Sequence, residues 1–311
     1  MSTDAGRVRA LIPMPEGREL LGVLPEAVEV GVWDAHGAPP GGGAGVSFWV
    51  PPFPPLDSYA AAFAELPDLR AVQTLTAGYD HVSAALPRGL TLCNAGGVHD
   101  GPAAEWAVTS LLAVLRRVPH YVLAQRDGAG RDGESDSLIG RRVMILGHGG
   151  IGRAVHRRLD GFEAEVVAVA SRSRDGVHGP EELSRLLPGC DAVIIAVSLS
   201  PSTRGLVGAD FLGRLPEGAV IVNVARGPVV DQQALAAELW SGRLRAALDV
   251  SVPDPLVNDD PLRQCPNLLY TPHIAGATSL ALPRAFGLVG EQLRRLAGGE
   301  PLLNVVVGGG G

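Results

Sequence analysis

The chain has 311 residues, 46% of them hydrophobic and 19% charged, the composition of a globular protein long enough for two domains with separate cores. Its formal net charge of −7 argues against general nucleic-acid binding, and no apolar run reaches the roughly 20 residues that cross a bilayer. All 26 Lys+Arg positions are arginine, which excludes chemistry on a lysine Schiff base and a phosphate loop ending in Gly-Lys-Ser/Thr.

In chain order, the apolar runs Val8–Ile12, Val28–Trp33, Val46–Val50, Ala71–Leu75 and Leu90–Cys93 read as strands, separated by turn signals. Tyr59–Leu66 reads as an intervening helix stopped by Pro67. Gly37–Gly45 and Pro51–Pro55 are loops, too rich in glycine or proline for regular structure. The aromatic and proline-rich segment Phe48–Phe53 either walls a pocket or forms the edge of a core. A long helix is expected from near Pro102 to about Val118, followed by a polar, aperiodic connector over Arg126–Ser137. A second and more regular series of strands follows at Val143–Leu146, Val166–Ala170, Ala192–Val197, Ala219–Val224, Ala246–Val250 and Leu268–Thr271, with helices in the intervals. Leu280–Leu296 is helical in pattern apart from Pro283, and Gly308–Gly311 reads as a floppy tail. Parallel strands linked by helices give an α/β fold with doubly wound sheets. There is no internal repeat and no heptad pattern.

Cys93, Cys190 and Cys265 are odd in number and widely spaced. They make neither a disulfide framework nor a zinc-type pair, which fits a reducing compartment. With no apolar h-region in Met1–Leu11, a cytoplasmic protein is expected. No HExxH, CxxC or acidic calcium loop is present, so no metal is expected.

The sharpest local signal is Gly147-His148-Gly149-Gly150-Ile151-Gly152, directly after an apolar strand and opening the helical run Arg153–Leu159. At this spacing Gly147 permits the tight turn, Gly149 lets backbone approach a pyrophosphate, and Gly152 lets helix and strand pack closely. The helix N-terminus would face the phosphates with unpaired N–H groups. About 20 residues further on, the next strand ends in Ser171-Arg172-Ser173-Arg174, where an NAD site usually has an acid for the ribose 2′-hydroxyl. An acid would repel a 2′-phosphate, whereas Arg172, Ser173 and Arg174 would clamp one. NADP(H) is therefore the expected cofactor, with NAD(H) second. The alternative is a solvated turn and a loosely read adenosine end.

Together with that turn, Thr203-Arg204-Gly205-Leu206, Asn223-Val224-Ala225-Arg226-Gly227, Ala247-Leu248-Asp249-Val250 and Thr271-Pro272-His273-Ile274-Ala275-Gly276 form five ordered motifs. In this the sequence resembles the D-isomer-specific 2-hydroxyacid dehydrogenases, most densely over residues 140–276. Ala77-Gly78-Tyr79-Asp80-His81 and Ala104-Glu105 are similar to that family's substrate-side segments. The resemblance implies a flavodoxin-like substrate domain of residues 1–99 plus 275–311 and an inserted Rossmann cofactor domain of residues 100–274. It implies hydride transfer between the cofactor and C2 of a small 2-oxo or 2-hydroxy acid. A homodimer is implied too, with its contact on the long helix after Pro102.

The roles implied are specific. Arg226 would hold a carboxylate with its planar fork and polarise the adjacent carbonyl. His273 would be the general acid in reduction and the base in oxidation. The third catalytic position departs from the family, which usually has Glu directly before a proline; here it is Asp254. One methylene shorter, Asp254 is expected to reach His273 only if its loop shifts, or through water. The resemblance further places Gly147, Gly149, Gly150, Ile151, Gly152, Thr203, Val224, Ala225, Asp249 and Gly276 against the cofactor, Asp249 at the nicotinamide carboxamide. Substrate would meet the backbone N–H groups of Ala77 and Gly78. Ser198, where a proline is common, and Ala95, where a threonine is frequent, are smaller departures. Two rivals stand beside this reading. One is a related dehydrogenase of another small oxyanion such as phosphite or formate, the acid before Pro255 disfavouring formate. The other is a cofactor-sensing scaffold with little turnover, favoured by the change at Asp254.

Overall fold

The structure, a computed structural model, describes residues 7–53, 55–125, 128 and 133–308. Much of the expected connector after Arg126, the tail beyond Gly308 and the first six residues lie outside the described residues. The chain divides into two compact units, Met1–His99 with Ser279–Gly311, and Asp100–Thr278. Residues 275–278, assigned to the first domain from sequence, thus belong with the second unit. Ala275 is buried in that unit's core and its N–H donates to Asp249.

The first unit runs β1 (Val8–Ile12), α1 (Gly17–Leu20), β2 (Val28–Val32), β3 (Val46–Trp49), α2 (Ala60–Ala64), β4 (Ala71–Gln73), α3 (Asp80–Ser83) and β5 (Thr91–Cys93). The second unit begins with α4 (Asp100–Leu115) and α5 (Val118–Ala124). It continues with β6 (Arg142–Leu146), α6 (Gly150–Leu159), β7 (Glu165–Val169), α7 (Leu183–Leu186), β8 (Ala192–Ile195), α8 (Ala209–Gly213) and β9 (Val220–Asn223). It closes with α9 (Gln232–Trp240), β10 (Arg245–Leu248) and β11 (Leu268–Tyr270). The chain then returns to the first unit as α10 (Ala281–Ala297) and β12 (Val305–Val307).

The strand order of the first sheet is β12-β5-β4-β3-β1-β2. Its parallel part has the flavodoxin-like order 2-1-3-4-5. The edge strand β12, absent from the sequence reading, pairs antiparallel with β5. Phe48, Trp49 and Val50 are fully buried, and Trp49 stacks edge-on against Phe63 with ring centroids 5.5 Å apart. The first half of the aromatic segment is therefore core, and only Phe53 is exposed at 56%.

The second sheet is parallel throughout, in the order β11-β10-β9-β8-β6-β7. Its central strands β8 and β9 are buried at every position, as continuous apolar runs covered on both faces must be. Beyond β7, a single parallel bridge from Val169 to His178 stands where the commoner Rossmann order 3-2-1-4-5-6 has another strand. The order reverses between β6 and β8, so the C-terminal ends of these strands form a switch point, where open α/β sheets bind ligands.

The long helix differs from expectation at both ends. It starts at Asp100, putting Pro102 in its first turn, and stops at Leu115 rather than Val118. Arg117 turns left-handed at φ 53°, and α5 begins with Pro119 in its first turn. A continuous helix would drive the Pro119 ring into the carbonyl of residue 115 and lose a hydrogen bond, so the helix breaks instead. Pro283 likewise sits in the first turn of α10, where its missing N–H costs nothing.

Candidate active site

The glycine-rich turn leaves β6 at the switch point. Gly147 has φ +107°, and a Cβ there would lie 2.6 Å from the Ala196 and Val197 backbone at the end of β8. A Cβ at Gly152 would collide with the carbonyl oxygen of Gly147, so this glycine lets α6 pack onto the turn. A Cβ at Gly149 would meet no atom within 4 Å. No side chain caps the N-terminus of α6. Open space beside Gly149 and uncapped amides beyond it fit a dinucleotide pyrophosphate. Gly150 and Ile151 have packing roles: a Cβ at Gly150 would strike the Asp100 carboxylate, and Ile151 packs on the core below α6.

At the end of β7, Ser171, Arg172, Ser173 and Arg174 are all exposed. Arg174 opens a tight turn closed by backbone bonds with Val177, and its guanidinium reaches back to the His148 carbonyl at 3.3 Å. Arg153 Nη1 lies 3.5 Å from the same oxygen. Burial of the His148 ring, then the neighbouring His156, Arg174 and Arg153, push its pKa below the ordinary imidazole value.

Three further loops leave the adjacent strands β9, β10 and β11. Arg226 follows β9; its Nη1 donates to the Ala225 carbonyl at 2.7 Å. Asn223, buried at the end of β9, donates to the Arg226 carbonyl and accepts from Ala225 N–H, which shapes that turn. A Cβ at Gly227 would collide with the backbone of Ser251, so the loops after β9 and β10 touch only because this residue is glycine.

Asp254 lies in the loop after β10 and His273 just beyond β11. His273 Nδ1 is 2.8 Å from Asp254 Oδ2, with the two side chains 47% and 26% exposed. The shorter acid therefore reaches the imidazole directly, without a bridging water. Its loop is pinned from several sides. Gln232 Nε2 donates to Val252 O at 2.8 Å and its Oε1 accepts from Val252 N–H. Ser251 Oγ donates to Pro253 O at 2.6 Å, and Leu256 N–H donates to the Tyr270 hydroxyl at 2.9 Å.

Asp249, buried at the end of β10, orders the histidine loop. Its Oδ1 accepts from Thr271 Oγ1 at 2.6 Å and Ile274 N–H at 2.8 Å, and its Oδ2 from Ala275 N–H at 2.8 Å. The His273 N–H donates to the Asp249 carbonyl at 2.8 Å, holding His273 at φ 57°, a left-handed conformation that costs about 1–2 kcal/mol outside glycine. Val224 and Ala225 are buried in the turn after β9, and Thr203 is spent on its own loop, accepting from Ser200 N–H and donating to Ser198 O. Gly276 lies in the turn that follows His273, its carbonyl accepting from Thr278 N–H.

In the first unit, the carbonyls of Thr76, Ala77 and Gly78 accept from Thr74 Oγ1, Asn94 Nδ2 and Thr76 Oγ1 respectively. Asn223, Thr271 and Gln232 carry structural duties that sequence reasoning did not assign. Asn223 and Thr271 lay inside motifs already quoted, as polar residues at the ends of apolar runs. Gln232 gave no local signal, since its partner is 20 residues away.

Residues 108–275 match the family described as D-isomer specific 2-hydroxyacid dehydrogenase, NAD binding domain. A D-3-phosphoglycerate dehydrogenase of Mycobacterium tuberculosis is 34% identical over 262 residues, 81% of this chain, which spans only about half (49%) of that relative's length. A glyoxylate reductase of Korarchaeum cryptofilum is 34% identical over 266 residues, covering 81% of this chain and 80% of the relative. Among solved structures, a D-isomer specific 2-hydroxyacid dehydrogenase from Xanthobacter autotrophicus Py2 in complex with NADPH and MES superposes with a TM-score of 0.84 at 31% identity, covering 97% of this chain and 98% of the other. Motifs, sheet order and these similarities agree: the chain belongs to the D-isomer-specific 2-hydroxyacid dehydrogenase family.

Proposed function

We propose that this protein is an oxidoreductase that interconverts a small 2-oxo acid and its 2-hydroxy acid with NADP(H), accepting NAD(H) less well. The observation that carries the reading is the 2.8 Å contact between His273 Nδ1 and Asp254, at the same C-terminal end of the parallel strands as the glycine-rich turn. The bound nicotinamide would supply or accept the hydride at the substrate C2. With Nδ1 engaged by the carboxylate, Nε2 of His273 is the atom that gives a proton to the forming alkoxide in reduction and takes it back in oxidation. Neighbouring strands lie about 4.8 Å apart, so the Arg226 loop on β9 and the His273 loop on β11 are separated by about 10 Å, a span that a small acid and two long side chains fill. In that position the Arg226 fork binds the substrate carboxylate and polarises the carbonyl beside it. The Ala77–Gly78 turn has its carbonyls tied down, which leaves N–H groups as the polar edge it offers to an anion.

The cofactor would lie along the switch point, its pyrophosphate over Gly149 and the α6 N-terminus, its 2′-phosphate between Arg172, Ser173 and Arg174. A carboxylate has about four lone-pair sites. Asp249 uses three on its own chain, leaving one at Oδ2 for the nicotinamide carboxamide. Glyoxylate and hydroxypyruvate are the substrates to try first. The reading of a scaffold without turnover rested on the short acid, and the direct bond to His273 removes that support. Exposed apolar residues on α5, Val118, Val122 and Leu123, support a homodimer through this helical segment.

The experiment is reduction of a panel of 2-oxo acids by wild type and His273→Ala, with NADPH affinity measured in parallel. The variant should lose about 10²- to 10⁴-fold in kcat while binding NADPH as before. Unchanged turnover would refute the assignment.

A further inference from the structure

His148 and His156 take no part in the chemistry assigned to His273, yet they sit together at the glycine-rich turn. His148 Nε2 is 3.1 Å from His156 Nδ1, and His148 Nδ1 is 3.4 Å from Nη2 of Arg174. On the far side, His156 Nε2 is 3.8 Å from Asp160. The groups facing His148 are therefore the guanidiniums of Arg174, after β7, and of Arg153, on α6, with the imidazole of His156. Asp160 faces His156. In this surrounding a neutral His148 is the stable form: it accepts from Arg174 at Nδ1 and donates from Nε2 to His156. A third cation beside two guanidiniums, with no contacting carboxylate among the described residues, is unfavourable.

A phosphate dianion at the end of β7 reverses the balance. It draws Arg174 off the ring and supplies the negative charge that a protonated imidazole lacks. We propose that His148 is a further reader of the 2′-phosphate of NADP(H), taking up a proton from solvent at Nδ1 as the phosphate binds. Preference for NADP(H) over NAD(H) then strengthens as pH falls from about 8 to about 6.5. The inference rests on the NADP(H) reading above. The sign follows from linkage. A ligand that favours the protonated ring binds more tightly as pH falls, until the ring of the free protein is protonated as well. The second ionisation of the phosphate, near pH 6, opposes the effect at lower pH, which sets the bottom of the window.

The test is calorimetric titration of the whole protein with NADP⁺ and with NAD⁺ at pH 6.5 and 8.0, in two buffers of different ionisation enthalpy. In wild type the ratio of NADP⁺ to NAD⁺ affinity should be about fivefold larger at the lower pH, with proton uptake accompanying NADP⁺ alone. His148→Gln should remove both effects, and unaltered NAD⁺ binding by this variant shows that the turn still folds. A wild-type ratio that ignores pH, or a pH dependence that survives in His148→Gln, overturns the inference and leaves NADP(H) preference standing. NAD⁺ binding more tightly at both pH values overturns the inference and the cofactor reading together.

Discussion

Asp254 is one methylene shorter than the glutamate that the family resemblance leads us to expect, yet it meets the imidazole directly. The loop after β10 carries the carboxylate to 2.8 Å from His273 Nδ1, so tautomer control needs no water. Asp254→Asn keeps the shape but offers an amide where the ring expects an acceptor, and should lower kcat by about 10- to 100-fold with little change in cofactor affinity. Asp254→Glu is the informative companion. In a loop fitted to the shorter acid it should be slower than wild type, and a faster variant would mean that the loop is not fitted at all. Asp249 answers to a different measurement. Its three bonds to the 271–275 segment make it a buried structural acid, whatever part it takes in the proposed cofactor site. Asp249→Asn turns a donor toward backbone N–H groups and should cost about 1–3 kcal/mol, read as a lower Tm even without ligand.

At the scale of elements, the site depends on loops being held against one another. Gln232, the first residue of α9, clamps Val252 through both atoms of its amide, two residues before Asp254. Gln232→Ala should slow turnover by slackening the Asp254–His273 pair, and leave the affinity for NADPH unchanged. If kcat stays at the wild-type value, the clamp does not position the acid. Gly147→Ala tests the other side of the site. The added Cβ meets the backbone at the end of β8 from an unfavourable φ of +107°, a cost of about 2–3 kcal/mol and a fall in Tm of about 4–12 °C. The long helices were legible from their pattern, but the break before Pro119 was not read. Pro102 and Pro283 sit inside first turns, while Pro119 starts a new helix and so ends the previous one three residues short of Val118.

For the molecule as a whole, each unit packs its sheet into a core, and all three cysteines are buried. Burial pushes the thiols of Cys93 and Cys190 up to about 11, and that of Cys265 up as well. At pH 7 to 8 these groups are protonated and shielded, so a thiol reagent should label the native protein slowly and fully only after denaturant is added. Rapid stoichiometric labelling of the folded protein would contradict the packing of both sheets. Light scattering should give a dimer, and charged substitutions at Val122 and Leu123 should weaken it. No helix among the described residues is long and apolar enough to cross a membrane.

Sequence alone determined the class of fold and the family, and it named the candidate chemical groups. Parallel strands buried on both faces must be written as uninterrupted apolar runs, and a dinucleotide turn must place its glycines at fixed spacing. Such local requirements survive in a one-dimensional record. Tertiary structure decided what depends on partners remote in the chain. Asp254 meets an imidazole 19 positions away, and Asp249 is enclosed by a segment more than 20 residues later. The three-residue strand β12 exists only because β5 offers it an open edge. A hydrogen bond or a strand pairing is fixed by where two groups arrive in space, and the sequence near either one records only that each can make it.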